Sequence, residues 1–218
     1  MLKQADRSPG SLAPPWAPRV AIIAALTAGV IGAAVWNRGD PGVIDAWGIH
    51  VLAASRHTFP YRFASRVDDT VRTLGVLTWS MVTAVVAWVL LRRWEAIVTA
   101  FVVAPATVAV ELLIKVAGRR TLGLEIFGYP SGRVALATSL VLTLLLVLRA
   151  AAVPPLVLRL IAVSGGAYVL VMAWARVATS RHVLSEVMGG ISTGVAVTLV
   201  VVLVITKWAH RVSTADDG

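Results

Sequence analysis

Apolar blocks, uncharged but for Glu111 in the third, recur along the chain at residues 20–36, 73–91, 96–114, 134–148, 160–175 and 187–206. Each approaches the roughly 20 residues of helix that a bilayer's hydrocarbon core requires. Backbone polar groups in lipid must be satisfied within the segment itself, so the blocks are expected to be helices. Together they predict an all-α polytopic membrane helical bundle with six transmembrane helices. The third, fourth and fifth blocks are short and must borrow flanking residues, which places Glu111, Arg133 and Arg176 at the membrane boundary. A charge there is costly unless paired or hydrated, so each is a functional candidate.

The first loop, residues 37–72, is long for a connection. Its Ile44, Trp47, Val51 and Leu52 recur at helical spacing. An interfacial amphipathic helix is expected there, serving either as a surface anchor or as a lid over a lateral entrance. In the last block, Gly190-x-x-x-Gly194 permits close helix approach. A polar, Pro-rich stretch precedes the first block and no small-residue cleavage pattern follows it, so that block reads as a retained span.

Orientation follows from Lys and Arg. Nine of them, from Lys3 to Arg211, fall on the side of the two termini; five fall in the first loop, once the six in the polar clusters described below are set aside. The positive-inside rule then puts both termini in the cytoplasm of a cell-membrane protein. Residues 1–18 and 208–218 read as cytoplasmic tails around a membrane domain at 19–207.

Composition agrees with a bilayer environment: 58% of the 218 residues are hydrophobic and 14% charged. The formal charge of +9 would suggest nucleic acid in a soluble protein. Here the basic residues lie between or beside the apolar blocks and read as topology signals and anion ligands, so no nucleic-acid partner is expected. The absence of cysteine excludes disulfides, a thiol nucleophile and a thiolate metal site.

Three polar clusters flank the third to sixth blocks, all on one side of the membrane. They are Lys115-Val-Ala-Gly-Arg119-Arg120, Tyr129-Pro-Ser131-Gly132-Arg133, and the run from Arg176 through His182 to Glu186. Several cations, one His, one Glu and a Ser-Gly turn at a helix start can form an oxyanion cradle. Backbone N–H groups and the helix dipole favour phosphate there, and Arg offers bidentate geometry. His182 and Glu186 are four apart and share a helical face. The carboxylate can hold the imidazole tautomer and leave the other nitrogen to attack phosphorus. An ordinary surface pair at the same spacing is the alternative. A metal site is disfavoured, with four His in the chain and no second ligand helix of the His-Glu-x-x-His kind.

These clusters resemble the type 2 phosphatidic acid phosphatase superfamily, which contains membrane lipid phosphate phosphatases and soluble vanadium haloperoxidases. The family pattern is Lys-x6-Arg-Pro, then Pro-Ser-Gly-His, then Ser-Arg-x5-His-x3-Asp. Here Pro130-Ser131-Gly132-Arg133 matches the second block and Arg176-x5-His182-x3-Glu186 the third, within a motif region at residues 111–190. The resemblance implies six spans, an outward-facing site and no cofactor. It also implies His182 as the nucleophile that forms a phosphohistidine, Glu186 as its orienting carboxylate, and Arg119, Ser131 and Arg176 as phosphate ligands. Lys115, Arg120, Gly132 and Arg133 complete the expected phosphate-binding set.

Three departures stand out. Glu186 replaces Asp. The first block is degenerate, with Lys115 one residue out of register. Arg133 stands where the family's second His protonates the leaving group, and a guanidinium cannot do so near neutral pH. Losing a general acid typically costs about 10²–10⁴ in rate. A departing phosphate needs a proton far less than a departing alkoxide, so the sequence points to a lipid phosphate or diphosphate phosphatase that favours diphosphate leaving groups. A catalytically silent relative that binds or moves a phosphorylated lipid is the other reading. Membrane lipids and a phosphorylated lipid substrate are the expected partners, and nothing in the sequence marks an oligomeric state.

Overall fold

The apolar blocks become helices, and all but the second, which keeps its bounds, run past at least one of the blocks' ends. The computed structural model describes residues 10–36, 40–118 and 128–216, without the side chains of 118 and 214–216. Its elements are α1 (Ala17–Val35), α2 (Val43–Leu52), α3 (Phe59–Asp69), α4 (Thr73–Leu91), α5 (Trp94–Gly118), α6 (Gly132–Ala150), α7 (Pro155–Ala178) and α8 (Leu184–Asp216). Among the described residues six helices, α1 and α4 to α8, are long and apolar enough to cross a membrane. Proline in the first turns of α1 and α7 costs nothing, because those N–H groups have no intrahelical acceptor. The extra turns draw Glu111, Arg133 and Arg176 into helix ends.

The most enclosed span is α6, which packs against α4, α5, α7 and α8, while α1 leans on α8 from outside. Leu140, Met172 and Val187 belong to a core cluster shared by α6, α7 and α8. Lipid supplies no hydrophobic drive between helices, so close backbone approach and buried hydrogen bonds take over. The Gly190-x-x-x-Gly194 pair provides the approach: a Cβ at Gly190 would stand 2.6 Å from Ser131 O, and one at Gly194 2.5 Å from Ala135 O. The Thr107 and Ser139 hydroxyls, 2.9 Å apart, link α5 to α6, and Ser139 donates to Gly194 O at 3.2 Å to reach α8.

The loop between α1 and α4 holds two helices where the periodicity pointed to one. The expected residues lie on α2, with Ile44, Trp47 and Val51 exposed. The opposite side of α2 is docked: Asp45 accepts from Ser185 N at 2.8 Å and Ser185 Oγ at 2.7 Å, at the start of α8. The second helix, α3, begins at Thr58, whose hydroxyl accepts from Tyr61 N. It packs on α7, with Phe63 against Trp174. Ala64 and Asp68 are its buried residues. The loop therefore covers the ends of α7 and α8.

Candidate active site

After Ala178 the chain turns back on itself. Arg181 N and His182 N both donate to Arg176 O, at 3.0 and 3.1 Å, which brings His182 over the last turn of α7. Two residues later α8 begins, with Glu186 in its first turn, where the helix dipole favours a carboxylate. The four-residue spacing then brings His182 Nδ1 to 2.7 Å from Glu186 Oε2. The side chains are 6% and 0% exposed, so this is a buried pair. An ionised carboxylate only accepts, so the proton sits on Nδ1 and Nε2 keeps its lone pair.

The start of α6 is tied to this pair, because Ser131 N donates to Glu186 O at 2.9 Å. Ser131 occupies the N-cap position, yet its hydroxyl makes no capping bond. Ser131 Oγ and Arg176 Nε are both buried with no hydrogen-bond partner among the described residues. A buried donor left in that state costs about 1–3 kcal/mol, which an oxyanion bound against it would offset. Gly132 follows at the first helical position. A Cβ there would overlap the Glu111 carboxylate where it stands, so glycine makes room for that group against the α6 N-terminus. Glu111 also pairs with Lys115 one turn further along α5.

Lys115, Arg133 and Arg176 each hold a carboxylate of the chain, an arrangement the sequence did not suggest. Asp68, from the end of α3, takes two of them. Its Oδ1 accepts from Arg176 Nη1 at 2.8 Å, and its Oδ2 pairs with Arg133 Nη1, which also donates to Asp68 O at 3.0 Å. Asp68 is 3% exposed. Sequence reasoning missed it, although Thr58 and Pro60 signal the start of a helix that ends at this acidic residue. Arg119 and Arg120 lie outside the described residues.

Beside the cluster, α1, α5 and α8 enclose an apolar groove of about 730 Å³, lined by Ala25, Gly29, Gly32, Val110, Lys115 and Val197 among others. Tyr129 closes one side. Its ring packs against Gly32 of α1 and leaves no room for a Cβ at Gly189 of α8, and its hydroxyl donates to Ala28 O. Burial pushes the Tyr129 phenol up to about 12, so it remains a neutral donor. His182 does not line the groove; Lys115 and Tyr129 stand at the boundary between groove and cluster.

No family model matches the sequence, and no curated protein matches it. Its shape does find a counterpart. The crystal structure of a transmembrane PAP2 type phosphatidylglycerolphosphate phosphatase from Bacillus subtilis superposes with a TM-score of 0.68, covering 88% of this chain and 96% of that one. The chain has the PAP2 fold. At 13% identity the likeness concerns the fold alone. Within the PAP2 fold of this chain, the segments that resemble the family's second and third motifs meet at one end of the bundle, joined by the bond from Ser131 N to Glu186 O.

Burial lowers the His182 pKa from 6.5. The hydrogen bond that His182 donates to Glu186 opposes that shift, and the charge of Arg176 adds to it. The imidazole thus stays neutral to a lower pH than a free histidine does. If neutral His182 attacks the substrate, the acid limb of kcat/KM is expected below pH 6.5. Glu186→Gln removes the opposing influence and should move the limb lower still. A pH–rate profile of both forms checks this, and an acid limb above 6.5 would contradict it.

Proposed function

We propose that this protein is a membrane lipid phosphate or diphosphate phosphatase acting through a phosphohistidine at His182. The observation that carries the reading is a buried His182–Glu186 pair with Nε2 available, joined through Ser131 to two buried donors, Ser131 Oγ and Arg176 Nε, that lack an acceptor. In the reaction, Nε2 attacks phosphorus and the bond from phosphorus to the leaving-group oxygen breaks. Water then attacks the phosphohistidine, releasing phosphate and regenerating the imidazole. Glu186 stays ionised and holds the tautomer throughout, balancing the positive charge that develops on the ring.

Ser131, Gly132 and Arg176 serve as phosphate ligands, with Lys115, Arg119 and Arg120 as further cations. Arg133 stabilises charge on the departing group without giving a proton, which suits a diphosphate whose leaving group is itself a phosphate. The distribution of Lys and Arg supports a site end facing away from the cytoplasm, with both termini inside.

Phosphate release by the purified protein across a panel of lipid mono- and diphosphates tests the proposal. A higher kcat/KM on polyprenyl diphosphate than on phosphatidic acid is expected. The reverse order would refute the leaving-group assignment, and no release on any member would leave a lipid-binding protein.

The groove gives the lipid reading a second check, as the place for the substrate's hydrocarbon chain. Nothing lies within 4 Å of a Cβ built at Gly29, so Gly29→Leu enters the groove without a clash. Excluding about two methylenes of a bound chain at about 0.8 kcal/mol each should raise KM for a long-chain substrate about tenfold. KM for a short-chain soluble diphosphate should not change. An equal effect on both substrates would show that the chain binds elsewhere.

A further inference from the structure

Arg133 enters from the first turn of α6 and Arg176 from the last turn of α7. The two guanidiniums are close enough for their like charges to oppose each other. What allows them to stand together is a third element, α3, which the chain reaches through the loop between its first two spans. Asp68 gives one carboxylate oxygen to each arginine, and its backbone carbonyl, at the negative end of α3, takes a second bond from Arg133.

These bonds engage each guanidinium through Nη1, and Arg176 Nε is left with no partner among the described residues. A carboxylate with a purely structural role gains nothing by leaving a buried donor of its own partner unsatisfied. One that aims a guanidinium at a ligand does.

We propose that Asp68 is a positioning residue of the site. Through α3 it sets the Arg133 and Arg176 guanidiniums for the phosphoryl group, which makes the first loop a working wall of the site rather than a membrane anchor. The inference rests on the phosphatase reading above. It also explains how arginine serves at position 133: a long flexible side chain becomes a fixed charge only with a dedicated counter-ion. The brace carries two positive charges and one negative, so it still attracts an anion while Asp68 offsets the repulsion between the arginines.

Asp68→Asn keeps the shape and removes the charge. The ground-state anion then meets a more positive site with less ordered arginines, whereas the transition state depends on their placement, and a misplacement of about 1 Å can cost around 10²-fold. With the full chain in detergent, kcat on polyprenyl diphosphate should fall about 10²-fold. Affinity for orthovanadate, whose five-coordinate adduct imitates the phosphoryl transition state, should fall by a similar factor. Affinity for inorganic phosphate should hold or rise. Asp68→Glu, which restores the charge on a longer arm, should lie between the two at about tenfold, and it decides the matter if Asp68→Asn does not fold.

An unchanged kcat and vanadate affinity, or a kcat that rises as phosphate binds tighter, would overturn the brace: the first makes Asp68 a spectator, the second a competitor for the anion. If the wild type binds both anions but releases no phosphate, the phosphatase reading fails, and the ratio of vanadate to phosphate affinity still judges Asp68. If it binds neither anion, both readings fail.

Discussion

His182→Ala is expected to lower phosphate release by about 10⁴-fold or more. In the proposed mechanism the substitution removes the nucleophile, and in enzymes with a covalent intermediate that loss leaves only the residual acceleration of the anion site. Ser131, Gly132 and Arg176 are untouched, so a lipid phosphate should still bind within a few-fold of its wild-type affinity. The variant also leaves the buried Glu186 carboxylate without its imidazole, which costs stability. His182→Gln, closer in size, is the companion that separates folding from chemistry. A rapid quench provides the second readout, since the wild type should hold acid-labile covalent phosphate during turnover and neither variant should. Retention of more than a tenth of the activity would remove His182 from the reaction.

Arg133→His carries the other large effect, in the opposite direction. A guanidinium remains protonated at any pH the protein meets, so the present site cannot hand a proton to an alkoxide. Asp68 already accepts from position 133 through Oδ2. The same carboxylate beside an imidazole would favour its charged form, giving a protonated group suited to general acid catalysis. A gain of about 10²–10⁴-fold in kcat/KM on lipid monophosphates is expected. On diphosphates, where the leaving group needs little help, the change should be small. The ratio of monophosphate to diphosphate activity in the two forms is the measurement. An unchanged ratio would mean that leaving-group protonation does not limit this site.

The polar clusters were legible along the chain to different depths. His182 and Glu186 met at the spacing the sequence shows, although His182 stands in the turn before α8 and only Glu186 lies on the helix; a four-residue interval is a local constraint. The pairing of Lys115 with Glu111 has the same interval and was equally open to reading. Asp68 was out of reach. It lies 65 residues from Arg133 and 108 from Arg176, and no periodicity connects positions that meet only after a loop folds over three helix ends. The Glu111 contact with Gly132 was hidden for a related reason, since it depends on the depth at which α5 and α6 stand against each other. The Gly190 and Gly194 pair falls between these cases: its spacing was visible, but which helix it would receive was not.

Low identity to a structure of the same shape follows from the bilayer. A spanning helix needs length and apolarity more than any particular residue, so a six-span bundle tolerates wide replacement wherever side chains face lipid. That requirement acts locally, segment by segment, and it let the sequence by itself determine the six spans, while the four-residue interval, equally local, brought His182 and Glu186 together. Only the tertiary structure decided what each charge would meet. In a low-dielectric setting, a buried ion is governed by its nearest counter-charge, and those counter-charges arrived from α3 and α5 through contacts that no local pattern encodes.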